Sequence, residues 1–178
     1  MKNIVKIYLV TFLFFAAPIF AVEGVAVIDM RTAVLSTQAA ADAFKALDED
    51  PDYSSNLEEA QALQAERQSI AEKLQKELET LSQEEIAKMQ KDIQDKGKDL
   101  EFLAGKIQQA QEETAQEVFV STGPTMQKII SELIAAKQIK VLLAKNETLL
   151  FSDAALDLTD DVTSMLDVAA VEASTQSE

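Results

Sequence analysis

Cysteine, histidine and tryptophan are missing from the 178 residues, and there are only four glycines and three prolines. Without Cys there can be no disulfide, thiolate metal site, thiol nucleophile or Cys-linked lipid anchor. Without His the commonest general base and the commonest metal ligand are gone. Carboxylates, Lys, Tyr and hydroxyls remain, so no catalytic residue, metal or cofactor is expected and the chain reads as a non-enzyme. So few Gly and Pro cannot supply the turns of an all-β sandwich or barrel. Ala, Gln, Glu, Lys and Leu take their place, the composition of long helices.

Positive charge is also scarce, with 16 Lys and Arg against 31 Asp and Glu, a net charge of −15. Such a chain has few cations to exchange for phosphate counter-ions, which argues against nucleic acid and against an anionic membrane surface. The amino terminus is the exception. Lys2 and Lys6 precede an apolar run from Ile7 to Phe20, interrupted by Thr11 and Pro18 and followed by Ala21. This pattern is that of a signal peptide over residues 1–21, cleaved on export to the periplasm, with an uncleaved anchor as the alternative. The run is shorter than the roughly 20 apolar residues of a spanning helix. Cleavage removes two lysines and takes the net charge from −15 to −17.

Val25-Ala26-Val27-Ile28-Asp29-Met30, after Gly24, reads as a buried strand. Thr32 to Leu47 reads as one helix, and the acidic stretch Asp48 to Asn56 as a loop. From Leu57 a heptad stripe runs Ala60, Gln64, Arg67, Ala71, Leu74, Leu78, Leu81, and a second runs Ile86, Gln90, Ile93, Gly97, Leu100, Ala104, Ile107, Gln111, Thr114, Val118. Between them Ser82 and Glu85 have capping-box spacing, which predicts a reversal near 81–85; a single continuous helix is the alternative. A seam carrying Gln, Arg and Gly buries little and makes a bendable pair. Glu72/Lys76, Glu84/Lys88 and Asp92/Lys96 are i,i+4 pairs on the exposed side.

Thr122-Gly123-Pro124 is expected to break or kink the returning helix. Met126, Ile129, Ile130, Leu133 and Ile134 follow as an amphipathic segment. Ile139 to Ala144 and Thr148 to Phe151, joined by Lys145-Asn146-Glu147, read as a β-hairpin. Asp157 to Val162 supplies an N-cap and acidic first turn for a helix to about Asp167. The carboxy-terminal residues 169–178, whose end from Glu172 lacks apolar content, read as a disordered tail. The expected fold is therefore α+β and mostly α. Residues 22–56 and 122–168 form a small β-containing body, and residues 57–121 project as a coiled-coil-like helical-hairpin arm. A body this small calls for association between copies.

The strand after the leader, the charged Gln/Glu/Lys-rich middle, the apolar pair Ile139–Leu143 and Leu150-Phe151, and the closing Asp157-Leu158-Thr159-Asp160-Asp161-Val162 together resemble the Skp/OmpH family of periplasmic chaperones. The resemblance covers essentially the whole mature chain. It implies a homotrimer whose arms surround a cavity and hold unfolded outer-membrane β-barrel proteins without ATP, preventing their aggregation. Leu74, Leu78, Met89, Ile93, Leu100, Leu103 and Ile107 are the expected client contacts, although each could equally serve to hold the two arm helices together. One departure is the sign of the arm. Residues 57–121 carry 8 basic and 15 acidic side chains, a net of −7, which argues against the lipopolysaccharide binding of basic relatives. Apolar contacts are expected to matter more than charge.

Two other classes compete. An exported structural coiled coil, a spacer or scaffold with one defined partner, fits the middle but not the terminal strands. A hydrolase using paired acids such as Glu84 and Glu85 or Asp160 and Asp161 would need both carboxylates aimed at one bond, whereas neighbours on a helix diverge.

Overall fold

The computed structural model describes residues 24–175. The leader segment lies outside them, as do residues 176–178 of the tail. A short strand β1 (Val25–Ile28) leads into two small helices, α1 (Met30–Leu35) and α2 (Gln38–Asp48). Two long helices follow, α3 (Pro51–Glu77) and α4 (Gln83–Ala136). Strand β2 (Val141–Ala144), a 3₁₀ turn (Ala154–Leu156) and α5 (Thr159–Thr175) close the chain. The expected architecture, mostly helical with a small β-containing body and a projecting helical hairpin, is what the chain adopts.

β1 begins where Gly24 ends. Gly24 sits at φ +86°, and a Cβ there would meet the Lys140 Cγ at 2.9 Å, so only glycine fits without strain. Its carbonyl accepts hydrogen bonds from the Lys140 and Val141 amides, at 2.7 and 2.9 Å, and sets the register. β1 and β2 then pair in parallel, Val25 with Val141 through Ile28 with Ala144. A parallel pair requires a long crossover, which α1 to α4 provide.

The expected β-hairpin does not form. Lys145-Asn146-Glu147 lacks the glycine that a two-residue hairpin turn favours. Asn146 instead folds an Asx turn, its side chain accepting from the Thr148 amide at 3.1 Å. Thr148 to Phe151 therefore leaves the sheet rather than returning along β2. The other side of β1 is filled further on, where Val27 bridges to Asp157 and its carbonyl accepts from the Leu158 amide at 2.9 Å.

Three helix boundaries also differ from the sequence reading. The helix expected over Thr32 to Leu47 is divided at Ser36-Thr37, because buried Thr37 turns its hydroxyl to cap α2, accepting from the Ala40 amide. The acidic loop shrinks because Asp50 caps α3, accepting from the Asp52 and Tyr53 amides at 2.9 Å, with Pro51 in the first turn. Of the break or kink expected at Thr122-Gly123-Pro124, the break does not occur, and α4 runs through Pro124. At its far end α4 closes with a Schellman pattern: Gln138 adopts φ 53°, and the Ile139 amide donates to the Ile134 carbonyl at 3.0 Å.

The core gathers Ile28, Ala33, Val34, Ala40, Val118, Ile129, Leu133, Val162 and Leu166, with Phe119, Met126 and Met165 packed against them. At its base α4 enters the core through Val118 and Phe119 and stays in contact with it through Ile129 and Leu133. α5 continues to Thr175, so residues 169–175 are helical where a structureless tail is expected.

The closing motif fastens this body. The Thr159 hydroxyl accepts from the Asp29 amide at 3.0 Å, and the Thr163 hydroxyl donates to the Ala33 carbonyl at 3.0 Å. Asp157 accepts from the Thr159 amide at 3.0 Å, from the Thr159 hydroxyl and from the Lys145 ammonium at 2.7 Å. Burial alone would push the Asp157 carboxyl up, but Lys145 and the two Thr159 donors outweigh it and bring it from 3.8 down to about 2. The folded state therefore takes up this proton at lower pH than the unfolded chain does. The stabilisation is fully present above about pH 4 and lost as pH falls through about 2, and amounts to about 2 kcal/mol. Asp157→Asn is expected to lower neutral-pH stability by about that amount and to flatten the acid limb of urea-midpoint against pH. An unchanged acid limb would show that other carboxylates set it.

Candidate functional site

The arm is the largest surface that the core does not use. α3 is 27 residues long, about 40 Å, and lies antiparallel against the first part of α4. The chain reverses between Leu78 and Ser82, and there the capping box predicted from Ser82 and Glu85 is complete in both directions. Side-chain and backbone donors of Ser82 lower the Glu85 carboxyl below its ordinary value.

The seam between the helices is thin. Near the base Tyr53 is buried, and its hydroxyl accepts from the Gln111 side chain at 2.8 Å. Asn56 accepts from Lys106 at 3.3 Å. Further out Lys96 crosses to Glu66, which holds the Lys96 ammonium above its ordinary value. Lys91 and Lys98 flank Asp95 on the outside and depress its carboxyl, Lys91 most. Of the three exposed-side pairs read from sequence, Glu72–Lys76 forms, at 4.0 Å, whereas Lys96 turns inward to Glu66. Such exposed pairs add little stability.

The seam keeps half of the stripe read for it, Ile86, Ile93, Leu100, Ile107 and Thr114 on α4 with Ala60, Ala71 and Leu74 on α3, and shifts by one residue at alternate positions between them. Half-buried Met89, buried Leu103 and half-buried Ala110 face inward where Gln90, Ala104 and Gln111 are expected, and on α3 half-buried Leu63 replaces Gln64, Arg67 is exposed, and Ile70 is half-buried beside Ala71. Both versions alternate steps of three and four. A 3.6-residue turn drifts against a strict heptad, so the choice of step is not set by spacing alone.

The seven expected contact residues consequently fall into different settings. Leu103 is 4% exposed and is a seam residue, closed to any ligand while the hairpin is intact. Leu74, Met89, Ile93, Leu100 and Ile107 are half-buried. Leu100 reaches a shallow apolar trough with Leu57, Ala60 and Ala65, and Ile93 a smaller hollow with Arg67 and Ala71. Leu78, at the tip, is exposed.

Two residues that the stripe analysis passes over are the most open apolar side chains of the arm helices. Phe102 is 67% exposed and Val120 66%. They are eighteen residues apart, about five full turns of α4, and so lie along the same side of it. The Lys106 ammonium sits 5.4 Å from the Phe102 ring centroid, a cation–π contact that leaves much of the ring free. No periodicity marks them in the sequence, because the positions between them on that side, Lys106, Gln109, Glu113 and Gln116, are polar. Leu78, Phe102 and Val120 make the arm a scattered apolar surface set among acidic side chains, suited to weak contacts at many points.

In the body, Leu150 and Phe151 are 95% and 84% exposed, and Val141 and Leu143 of β2 are also open. β2 pairs on one side only among the described residues. No helix among them is long and apolar enough to cross a membrane, and no group of three or more acidic side chains there could hold a metal.

The sequence matches the OmpH-like outer membrane protein family over residues 24–166. A solved structure of a candidate outer membrane chaperone (OmpH-like) from Caulobacter crescentus CB15 is also similar, with 21% identity and a TM-score of 0.47 over 84% of this chain and 86% of that one. No curated protein matches in sequence. The family match takes in β1, the whole arm, β2 and the closing motif, and this chain belongs to the OmpH-like outer membrane protein family.

Proposed function

We propose that the protein is an ATP-independent holdase chaperone of the periplasm, exported by a cleaved leader, that binds unfolded outer-membrane β-barrel proteins and prevents their aggregation. The observation that carries this reading is the open pair Phe102 and Val120 on a thin, acidic arm. Exposed aromatic and aliphatic side chains spread over a long helix suit an extended, partly apolar client better than one defined partner. No cofactor or catalytic residue enters into it. Copies associate through the body, a trimer in the Skp/OmpH manner, so that several arms enclose one client. Leu150, Phe151 and the free edge of β2 support association, since such surfaces otherwise aggregate.

The test dilutes a urea-unfolded outer-membrane barrel into the mature chain, residues 22–178, at low and high salt and follows light scattering. The expected result is suppression near stoichiometry that persists at high salt, because apolar contacts are not screened. Suppression confined to low salt would transfer the binding to charge. None at all would favour the exported spacer or scaffold.

A further inference from the structure

Resting on the chaperone reading, we propose that the open side of α4 between Phe102 and Val120 selects client segments in which cationic residues stand between apolar ones. Apolar contact holds such a segment, and the charge of the arm chooses it. That charge is unevenly placed. Residues 67–98, the outer part of the arm, carry seven cations and seven acids and are neutral as a whole. Residues 57–66 and 99–121, the part next to the body, carry one cation and eight acids. The entire net of −7 therefore lies in the half that also bears Phe102 and Val120. Among the described residues, only Glu66 of those eight acids is ion-paired, to Lys96.

Part of this charge shares the face with the two apolar side chains. With 3.6 residues to a turn, Glu113 projects within about 20° of the line from Phe102 to Val120, and Asp99 and Glu117 within about 60°. All three are exposed. The Gln109 side chain donates to Glu113 at 2.8 Å, a neutral partner that leaves the charge in place. Lys106 is the one cation of α4 between Lys98 and Lys128, and it is engaged with the Phe102 ring and with Asn56. A visiting cation thus meets carboxylates without a resident competitor, and a visiting carboxylate meets like charge. Phe102 and Val120 are about 27 Å apart along the helix, a length that an extended segment spans with about eight residues. Its apolar side chains can cover Phe102 and Val120 while a Lys or Arg between them reaches Glu113 and Glu117. A barrel of mixed charge gains and loses such pairs together, so its capture stays resistant to salt.

The test uses three fluorescent peptides of about twelve residues, long enough to span the face. They share their Leu and Tyr positions and differ only in carrying Lys, Gln or Glu between them. Each is titrated with the mature chain, residues 22–178, at low and high salt, and binding is read by anisotropy. At low salt the Lys peptide is expected to bind about tenfold more tightly than the Glu peptide, with the Gln peptide between. The preference is no larger because exposed ion pairs are individually weak and only a few carboxylates are in reach. At high salt the three should converge on the Gln value. Glu113→Gln/Glu117→Gln should remove most of the preference for Lys while leaving binding of the Gln peptide unchanged. Glu77→Gln/Glu79→Gln, which alters net charge equally but at the arm tip, should keep the preference. Equal loss in both variants would assign the preference to the net charge of the chain and overturn the proposal. So would a Glu peptide bound as tightly as the Lys peptide at low salt. The chaperone reading would survive either result, since the Gln peptide would still bind. If none of the three binds, both readings fall together.

Discussion

Replacing Phe102 and Val120 together by Ser is expected to raise about tenfold the amount of protein needed to keep an unfolded barrel in solution, while leaving thermal stability nearly unchanged. Both side chains are mostly exposed and outside the seam, so their loss removes little buried area from the fold, and surface changes of this kind cost within about 0.5 kcal/mol. A client that covers them would bury a large aromatic and a branched side chain per arm. Burying one such side chain fully is worth about 1.5–3 kcal/mol, and a tenfold loss corresponds to about 1.4 kcal/mol, well inside what two partly covered residues can supply. The control is Leu103→Ala. Leu103 is buried between the arm helices, so its truncation should lower stability by about 2–4 kcal/mol through lost packing and a cavity. If Phe102→Ser/Val120→Ser suppresses aggregation as well as the parent does, the arm's open apolar residues are not where clients bind.

This pair illustrates which part of the surface the sequence displays readily and which it does not. A seam is found by following the strongest apolar stripe, and that procedure correctly directs attention to α3 and α4 as a hairpin, with Ser82 and Glu85 at its reversal. It then assigns every apolar residue on the stripe to one face. In a helix pair whose seam includes Asn56, Lys96 and Gly97, however, burial is shallow, and a shift from Ala104 to Leu103 changes little in the spacing while exchanging inside for outside. Phe102, next to Leu103, is then left on the open side. Binding residues and seam residues share one chemistry here, and only the three-dimensional register separates them.

In the body the difficulty lies in distance along the chain. Val25 to Ile28 is recognisable as a strand from its β-branched, apolar run, but its partner Val141 to Ala144 lies more than a hundred residues away. For Val141 to Ala144 itself, local pattern favours pairing with the adjacent apolar run, Thr148 to Phe151. The parallel pair wins because Gly24 seats the Lys140 and Val141 amides and because Leu158 fills the opposite side of β1. Helix boundaries were legible where their capping chemistry was considered. Asp50 before Pro51 is an N-cap followed by a first-turn proline, a start signal hidden within what composition alone makes a loop. At Pro124 the local rule is outweighed: core packing of Val118 and Ile129 on either side keeps α4 continuous despite the missing rung.

Thr159→Val is expected to be the most damaging conservative substitution in the body, lowering stability by about 3 kcal/mol. Val keeps the shape and the branched carbon, so the change isolates the hydroxyl. That hydroxyl is buried and serves two partners at once. It accepts from the Asp29 amide at 3.0 Å, and it donates to the Asp157 carboxylate. Its removal leaves the Asp29 amide unpaired in a partly buried place, at a cost of about 1–3 kcal/mol, and removes a charge-assisted bond worth about 1.5–3 kcal/mol, the two overlapping because they share one atom. In a chain of this length the melting temperature should fall by about 6–12 °C. Asp157 loses a donor that holds its carboxyl near 2, so its folded value must rise towards the ordinary 3.8. The variant should therefore also lose less additional stability than the parent between neutral pH and about pH 2, because less of the carboxylate's contribution remains to be titrated away. Urea unfolding across that range reads both effects in one series. A Thr159→Val chain with parental stability and a parental acid limb would mean that water replaces the hydroxyl at both partners, and that the closing motif holds β1 through the Leu158 amide and the Val162 side chain alone.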